Sequence, residues 1–269
     1  TGIVFKRVDL DDPVSIPAHA NYISDTTMCT TISHNGVSVS TIEHLMSAFA
    51  GMGIDNAFVD VSASEIPIMD GSSAPFVFLL QSAGIVSQVA EKKFIRIKKE
   101  VIVRDGDKVA KIKPHNGFRV EFGIAYDHPL FNDSNQTCVV DFGKSLYTKD
   151  IARARTFGFI SDYETLRKNN LANGTSLDNT IAIDKYNILN NDGLRYTDEC
   201  VRHKILDVVG DLYLLGHAVI GDFYGYKSGH RLNKTLLKEL LSREDAWEII
   251  SLTDEESSPI HFTWSEVFA

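Results

Sequence analysis

Apolar positions Ile42, Leu45, Met46, Phe49 and Met52 recur at helical spacing after the short alternating segment Val37-Ser-Val-Ser40, which predicts a strand running into a helix. Ser40 or Thr41 stands where a cap belongs, and Gly51 and Gly53 stand where the helix must stop. Asn56–Val61 reads as the next strand. The loop Ser64-Glu-Ile-Pro-Ile-Met-Asp-Gly-Ser-Ser-Ala-Pro75 is dense in turn formers, and Pro75 suits the first turn of an apolar helix from Phe76 to Ala83.

After the charged cluster Glu91-Lys-Lys93 the pattern changes to strand-like runs near 94–104, 108–113 and 117–125, with Asp105-Gly106 and Asn116-Gly117 as turns. Asp150–Phe159 and Asp162–Lys168 read as short helices. Asp198–Leu215 is the strongest helix, followed by a strand from Ala218 to Tyr226, a Lys-Ser-Gly-His turn and a last helix from Lys234 to Ser242. The mixture is α+β, and the charged cluster suggests two domains, 1–91 and 92–269. A faint internal echo runs through them: His44 precedes Gly53 by nine residues and Asp207 precedes Gly216 by nine, and each helix then leads through its glycine into a Val-containing strand. Two such units packed together would form a pseudo-symmetric pair with a cleft between them, although helix–Gly–strand sequences are common by chance.

Composition narrows the function. The 269 residues carry 27 Lys and Arg against 36 Asp and Glu, a formal charge of −9. The broad basic field that binds phosphate backbones is missing, so nucleic acid is not an expected partner. Hydrophobic residues at 43% and charged residues at 23% support a folded core and exclude a disordered or fibrous chain. No apolar run reaches the roughly 18 residues that span a bilayer, so no integral membrane segment is expected. Cys29, Cys138 and Cys200 are widely spaced without a C-x-x-C, which suits reduced, buried thiols in a cytoplasmic protein. The chain opens on Thr1 rather than Met, as a piece of a longer product would.

The chemistry concentrates on the strongest helix. His203, Asp207 and Asp211 fall at i, i+4 and i+8 on one face, while Val201, Ile205, Val208, Leu212 and Leu215, and then Leu206, Val209 and Tyr213, line the others. A buried stripe of one imidazole and two carboxylates is costly unless paired or bound to a cation. His and Asp four apart can fill adjacent positions around zinc, as the histidines of H-E-x-x-H do. The alternative is a hydrogen-bonded pair, or ion pairs with arginines elsewhere.

Glu43 and His44 open the first helix. Neighbouring helix residues point about 100° apart, so Glu43 would not share a ligand position with His44 but could act as general base on a water beside the metal. The competing reading is structural, because Ser40-Thr-Ile-Glu43 matches a capping box in which Glu43 only bonds a backbone amide. His230 stands where a strand ends before a helix; Asp211, at the far end of the stripe, would be a natural partner to orient it and raise its pKa. As a lone loop histidine it would be ordinary.

Five blocks together carry a more specific signal: Ser40-Thr-Ile-Glu-His-Leu45, Glu65-Ile-Pro-Ile-Met-Asp-Gly-Ser-Ser-Ala-Pro-Phe76, Ala152-Arg-Ala-Arg-Thr-Phe-Gly-Phe159, Val201-Arg-His-Lys-Ile-Leu-Asp-Val-Val-Gly-Asp-Leu212 and Tyr226-Lys-Ser-Gly-His230. In this order, across almost the whole chain, they resemble the bacterial UDP-3-O-acyl-N-acetylglucosamine deacetylase family, a zinc amidase of lipid A biosynthesis. The resemblance implies two pseudo-symmetric two-layer α+β domains, each a mainly antiparallel sheet with helices, and an active site between them. It implies Zn2+ on His44, His203 and Asp207, Glu43 as general base, Thr156 at the oxyanion, His230 as electrostatic or general-acid partner and Asp211 steadying it. Lys204 and Phe157 would contact the phosphate and sugar portions of the substrate, and Phe159 would lie near the nucleotide.

The expected partner is thus a nucleotide sugar carrying an acyl chain, bound by a cytoplasmic monomer, with Ile160 and Leu171 either walling an acyl passage or serving as ordinary core. Family members begin with a short strand-forming segment absent before Thr1, which would remove part of the cleft wall. Two other readings stay open: a zinc amidase for a different acylated amino sugar, and a metal-containing binding protein without catalysis.

Overall fold

Five short strands precede the first helix: β1 (Ile3–Arg7), β2 (Val14–Pro17), β3 (Ile23–Asp25), β4 (Thr31–His34) and β5 (Val37–Val39). Helix α1 (Glu43–Gly51), strand β6 (Ala57–Val61) and helix α2 (Ala74–Ala83) follow. Strand β1 pairs antiparallel with β2 and parallel with β6, while β3, β4 and β5 form a separate antiparallel sheet. The computed structural model describes residues 1–131, 136–169, 171–252, 258 and 260.

A larger sheet follows, built from β7 (Lys92–Ile97), β8 (Val101–Asp105), β9 (Lys108–Lys113), β10 (Phe118–Gly123) and β11 (Thr137–Asp141). Then come α3 (Tyr147–Asp150), β12 (Phe157–Phe159), α4 (Ile160–Lys168), β13 (Ile181–Ile183), α5 (Glu199–Tyr213), β14 (Ala218–Tyr226), α6 (His230–Ser242) and β15 (Trp247–Leu252). Strand β14 is the hub, parallel to β10 and β7 and antiparallel to β9, in the order β11-β10-β14-β7-β15. Antiparallel pairings outnumber parallel ones among the described residues, and the architecture is α+β.

The internal echo has a structural counterpart. Gly53 at φ 68° and Gly216 at φ 91° turn α1 and α5 toward β6 and β14, a left-handed conformation that glycine adopts without a Cβ clash. The two helices pack against each other. All three flanks of α5 are covered: Val201, Ile205, Leu206, Val208, Val209, Leu212, Tyr213 and Leu215 are buried, and so are His203, Asp207 and Asp211.

Three elements differ from the sequence pattern. The run 94–104 is two strands, interrupted where the amides of Lys98 and Lys99 both donate to the Ala246 carbonyl, at 2.7 and 3.2 Å. The segment Asp150–Phe159 is not a helix: it leaves α3 and ends in β12, because tertiary partners claim its backbone. The Arg155 amide donates to Glu199 at 3.0 Å, and the Thr156 amide donates to the Gly71 carbonyl at 2.8 Å. Helix α6 starts at His230 rather than Lys234, since the amides of Leu232 and Asn233 already reach back to the Gly229 carbonyl, each at 2.9 Å.

Candidate active site

The approach to α1 is held on both sides. The Ser40 amide donates to Ser64 O at 2.9 Å and the Ile66 amide to Ser40 O at 3.0 Å. Between this bridge and the helix sits Thr41 at φ 58°, unusual for a β-branched residue, with its hydroxyl donating to Glu65 at 2.6 Å. This geometry overturns the capping box. Ile42 occupies the cap position and makes no side-chain cap bond, and Glu43 is already the first helical residue. Glu43 Oε2 instead accepts from the Thr30 amide at 3.0 Å, which turns the carboxylate away from its own helix end.

His203 and Asp207 lie one turn apart on α5, and α1 brings His44 to them. Asp207 Oδ1 is 3.6 Å from His44 Nε2 and 3.4 Å from His203 Nε2, and one ligand atom from each residue lies within 4.8 Å of the others. Burial pushes the His203 pKa down to about 3, so the ring is neutral. Its Nδ1 lies 3.0 Å from the Ala154 carbonyl, which fixes the proton on Nδ1 and leaves a lone pair on Nε2. That lone pair faces Asp207 Oδ1, a buried carboxylate oxygen with no hydrogen-bond partner. Two acceptors facing each other in a dry site repel unless a cation lies between them. The donor set of two imidazoles and a carboxylate, with its unpartnered oxygen, therefore fits a divalent metal.

Charge around the cluster is ordered. Burial opposes ionisation of Asp207, yet the surrounding imidazoles and Lys204 hold its carboxyl well below the usual range. Lys204 Nζ donates to Asp207 Oδ2 at 2.9 Å and lies 5.7 Å from the centroid of the Phe157 ring. Burial raises the Glu43 pKa. Burial alone would lower that of His230, but the carboxylates of Asp211, Glu43 and Asp207 together outweigh it, Asp211 most of all, and raise His230 to about 10. His230 Nε2 faces Glu43 Oε1 at 3.8 Å and Asp207 Oδ2 at 3.9 Å, while Nδ1 lies 2.9 Å from Asp211 Oδ2. The site thus pairs a carboxylate that can take a proton with an imidazolium that can give one.

Seven of the residues singled out in the sequence are joined through these contacts: Glu43, His44, Lys204, His203, Asp207, Asp211 and His230. Thr156 is two residues beyond Ala154 and is anchored through its backbone to Gly71 and Ile181. Phe157 and Phe159 join Tyr126 in a ring cluster, with centroids 5.7 and 5.1 Å from the Tyr126 ring. Ile160 is exposed at the start of α4 and Leu171 is half-buried. Cys138 and Cys200 are buried free thiols, and no cysteine belongs to the metal-ligand cluster.

Two partners escaped the sequence pattern. Asn233 donates to Asp211 Oδ2 at 2.8 Å; it lies three residues from His230, so a helix begun at His230 would have aligned the pair. Thr30 donates through its hydroxyl to Asp211 Oδ1 at 2.7 Å. It sits in a turn with no periodicity to reveal it.

The family model for LpxC, described as UDP-3-O-acyl N-acetylglycosamine deacetylase, matches residues 1–242. The chain belongs to the LpxC family. It is 56% identical over 263 residues to the UDP-3-O-acyl-N-acetylglucosamine deacetylase of Coxiella burnetii, covering 98% of this chain and 87% of that protein. Proteins of the same name from Teredinibacter turnerae and Methylococcus capsulatus are each 58% identical, over 261 and 262 residues, covering 97% of this chain and 86% of theirs. The blocks that carry the resemblance to the LpxC family converge on the cluster. Ser73 in the second donates to the His44 carbonyl at 2.6 Å, Ala154 in the third holds His203, and His230 closes the fifth. No helix among the described residues of this LpxC chain is long and apolar enough to cross a membrane.

Proposed function

We propose that this chain hydrolyses the acetamide of UDP-3-O-acyl-N-acetylglucosamine, releasing acetate and UDP-3-O-acyl-glucosamine in lipid A biosynthesis, with zinc held by His44, His203 and Asp207. The observation that carries this reading is the unpartnered Asp207 Oδ1 facing two imidazole nitrogens beside the Glu43–His230 pair. Zinc bound there would supply Lewis-acid polarisation and lower the pKa of nearby water.

The chain's own groups account for the proton movements. Glu43, kept basic enough by burial to hold a proton, takes one from the water whose oxygen bonds to the acetamide carbon. His230 carries positive charge toward the developing oxyanion, and Asp211 on Nδ1 keeps Nε2–H directed into the cleft. As the C–N bond breaks, the leaving amine takes a proton from His230 Nε2 or from the newly protonated Glu43. Thr156 would add a hydroxyl at the oxyanion. Lys204 and Phe157 would meet the phosphate and sugar, and Phe159 the nucleotide, in a cleft between the halves 1–91 and 92–269. The acyl chain would run past Ile160 and Leu171. The chain would act as a cytoplasmic monomer.

The test is acetate and amine release from the nucleotide-linked acyl sugar by the zinc-loaded chain, beside the same sugar without the nucleotide. Release from the nucleotide-linked form is expected. Preference for the free sugar would reassign the substrate, and no release with zinc on all three ligands would overturn the hydrolase reading.

A further inference from the structure

Thr30 occupies an unusual position for a turn residue: it is 1% exposed and touches both proton-handling groups. Its backbone is tied to the start of α1 in both directions. The amide donates to Glu43 Oε2 at 3.0 Å, and the carbonyl accepts from the Ile42 amide at 3.4 Å. Its side chain reaches away from α1 to the other helices. The hydroxyl donates to Asp211 Oδ1 on α5 at 2.7 Å and lies 3.2 Å from His230 Nδ1 at the start of α6.

The hydrogen-bond inventory around Asp211 shows what that hydroxyl does. Asp211 Oδ2 takes His230 Nδ1 at 2.9 Å and Asn233 Nδ2 at 2.8 Å, and Asn233 is itself held by Ser228 at 2.7 Å. Oδ1 takes Thr30. Since Oδ2 already receives two donors, the Thr30 hydroxyl spends its only proton on Oδ1, and its lone pair is free to face His230 Nδ1–H. A carboxylate held at both oxygens cannot rotate, so the imidazole it anchors cannot tilt.

We propose that Thr30 is a positioning residue that couples the two proton-handling groups, its amide fixing the Glu43 carboxylate and its hydroxyl locking the Asp211–His230 pair in register with it. This rests on the deacetylase reading for its kinetic consequence but not for its structural one. Removing the hydroxyl strands Asp211 Oδ1 as a buried acceptor, and the carboxylate must turn to recover a partner, carrying His230 away from Glu43. The amide contact survives because it is backbone. The two connections are therefore separable by substitution.

Thr30→Val keeps shape and amide but lacks the hydroxyl; Thr30→Ser keeps the hydroxyl. In the zinc-loaded full chain, Thr30→Val is expected to lower kcat by about ten- to a hundredfold, the scale of a lost hydrogen bond to a charged group, with KM and bound zinc unchanged. Thr30→Ser should restore kcat to within about threefold of the parent. A second readout needs no substrate: with 15N-labelled histidine, the Nδ1–H resonance of His230, assigned by its loss in His230→Gln, should shift and exchange faster in Thr30→Val but not in Thr30→Ser. Parent-like kcat and resonance in Thr30→Val would overturn the proposal, as would equal impairment of both variants or zinc loss in Thr30→Val. If the parent releases no acetate while the resonance still responds to the hydroxyl, the reaction assignment fails and Thr30's hold on His230 stands.

Discussion

Gly210 on α5 passes directly against Glu43 on α1: a Cβ added at Gly210 would lie 2.1 Å from the Glu43 carbonyl oxygen and 3.1 Å from the Ser47 amide nitrogen. Both near atoms are backbone, so no side-chain rotation can relieve the clash. The missing Cβ lets the helix bearing His203 and Asp207 approach the helix bearing His44 closely enough for their ligand atoms to meet. Gly210→Ala must push the helices apart, and overpacking of this kind costs about 3 kcal/mol. Urea unfolding should show that loss, and zinc binding should weaken with it. Parent-like stability and zinc affinity in Gly210→Ala would show that the crossing does not set the ligand spacing.

Glu43 has no assigned ligand role and no cap to make, so its removal should separate catalysis from metal binding. Glu43→Gln preserves the shape of the side chain and its acceptance from the Thr30 amide, but not its basicity. It is expected to retain zinc and a parent-like melting curve while losing about a hundred- to ten-thousandfold in kcat, the range for a general base. Metal analysis beside steady-state kinetics checks both halves; near-normal kcat would move the base elsewhere.

The sequence made α5 legible because its polar stripe has a helical period and its remaining faces are apolar, and β14 because a long apolar and aromatic-rich run is bounded by glycine and a Lys-Ser-Gly turn. It left β1 to β4 unread. Those strands are three to five residues long and, unlike the equally short β5, do not run directly into an amphipathic helix whose period marks their end. It misread Asp150–Phe159 as helical because local composition cannot reveal that Glu199 and Gly71 will claim its backbone. The same limit governed the site. Residues spaced on one helix, His203, Asp207 and Asp211, carried a visible pattern, whereas the link from Thr30 to Asp211 spans 181 positions and follows from packing alone. The capping-box signature at Ser40–Glu43 was a local pattern overridden by a tertiary hydrogen bond.

The three thiols should behave as packing groups. Burial pushes Cys200 up to about 12 and Cys138 up to about 11, and burial together with the Glu43 carboxylate raises Cys29. At pH 8 a thiol near 11 is ionised about one part in a thousand, and only the thiolate alkylates. Iodoacetamide should therefore label the folded chain slowly and label all three cysteines after denaturation in urea, counted by intact mass. Rapid modification of Cys138 or Cys200 at neutral pH would mean that those thiols are accessible and ionised in solution.

Removal of the metal should destabilise the chain, and the effect should disappear when a ligand is removed. With zinc bound to the folded arrangement as proposed, chelation should lower Tm and added zinc should restore it. Asp207 faces the His203 Nε2 lone pair through Oδ1, but its other oxygen accepts from Lys204, which holds the buried carboxylate ionised. Asp207→Asn removes that charge and leaves the Lys204 ammonium without its carboxylate, so the variant should bind zinc more weakly and, after chelation, melt below the chelated parent. A lost hydrogen bond between charged groups is worth about 1.5–3 kcal/mol, or very roughly 3–10 °C in a domain of this size. Scanning calorimetry on parent and variant, each with chelator and with zinc, gives the four values needed. At one zinc concentration the rise in Tm should be large in the parent and small in Asp207→Asn; an equal rise in both would show that Asp207 is not a metal ligand.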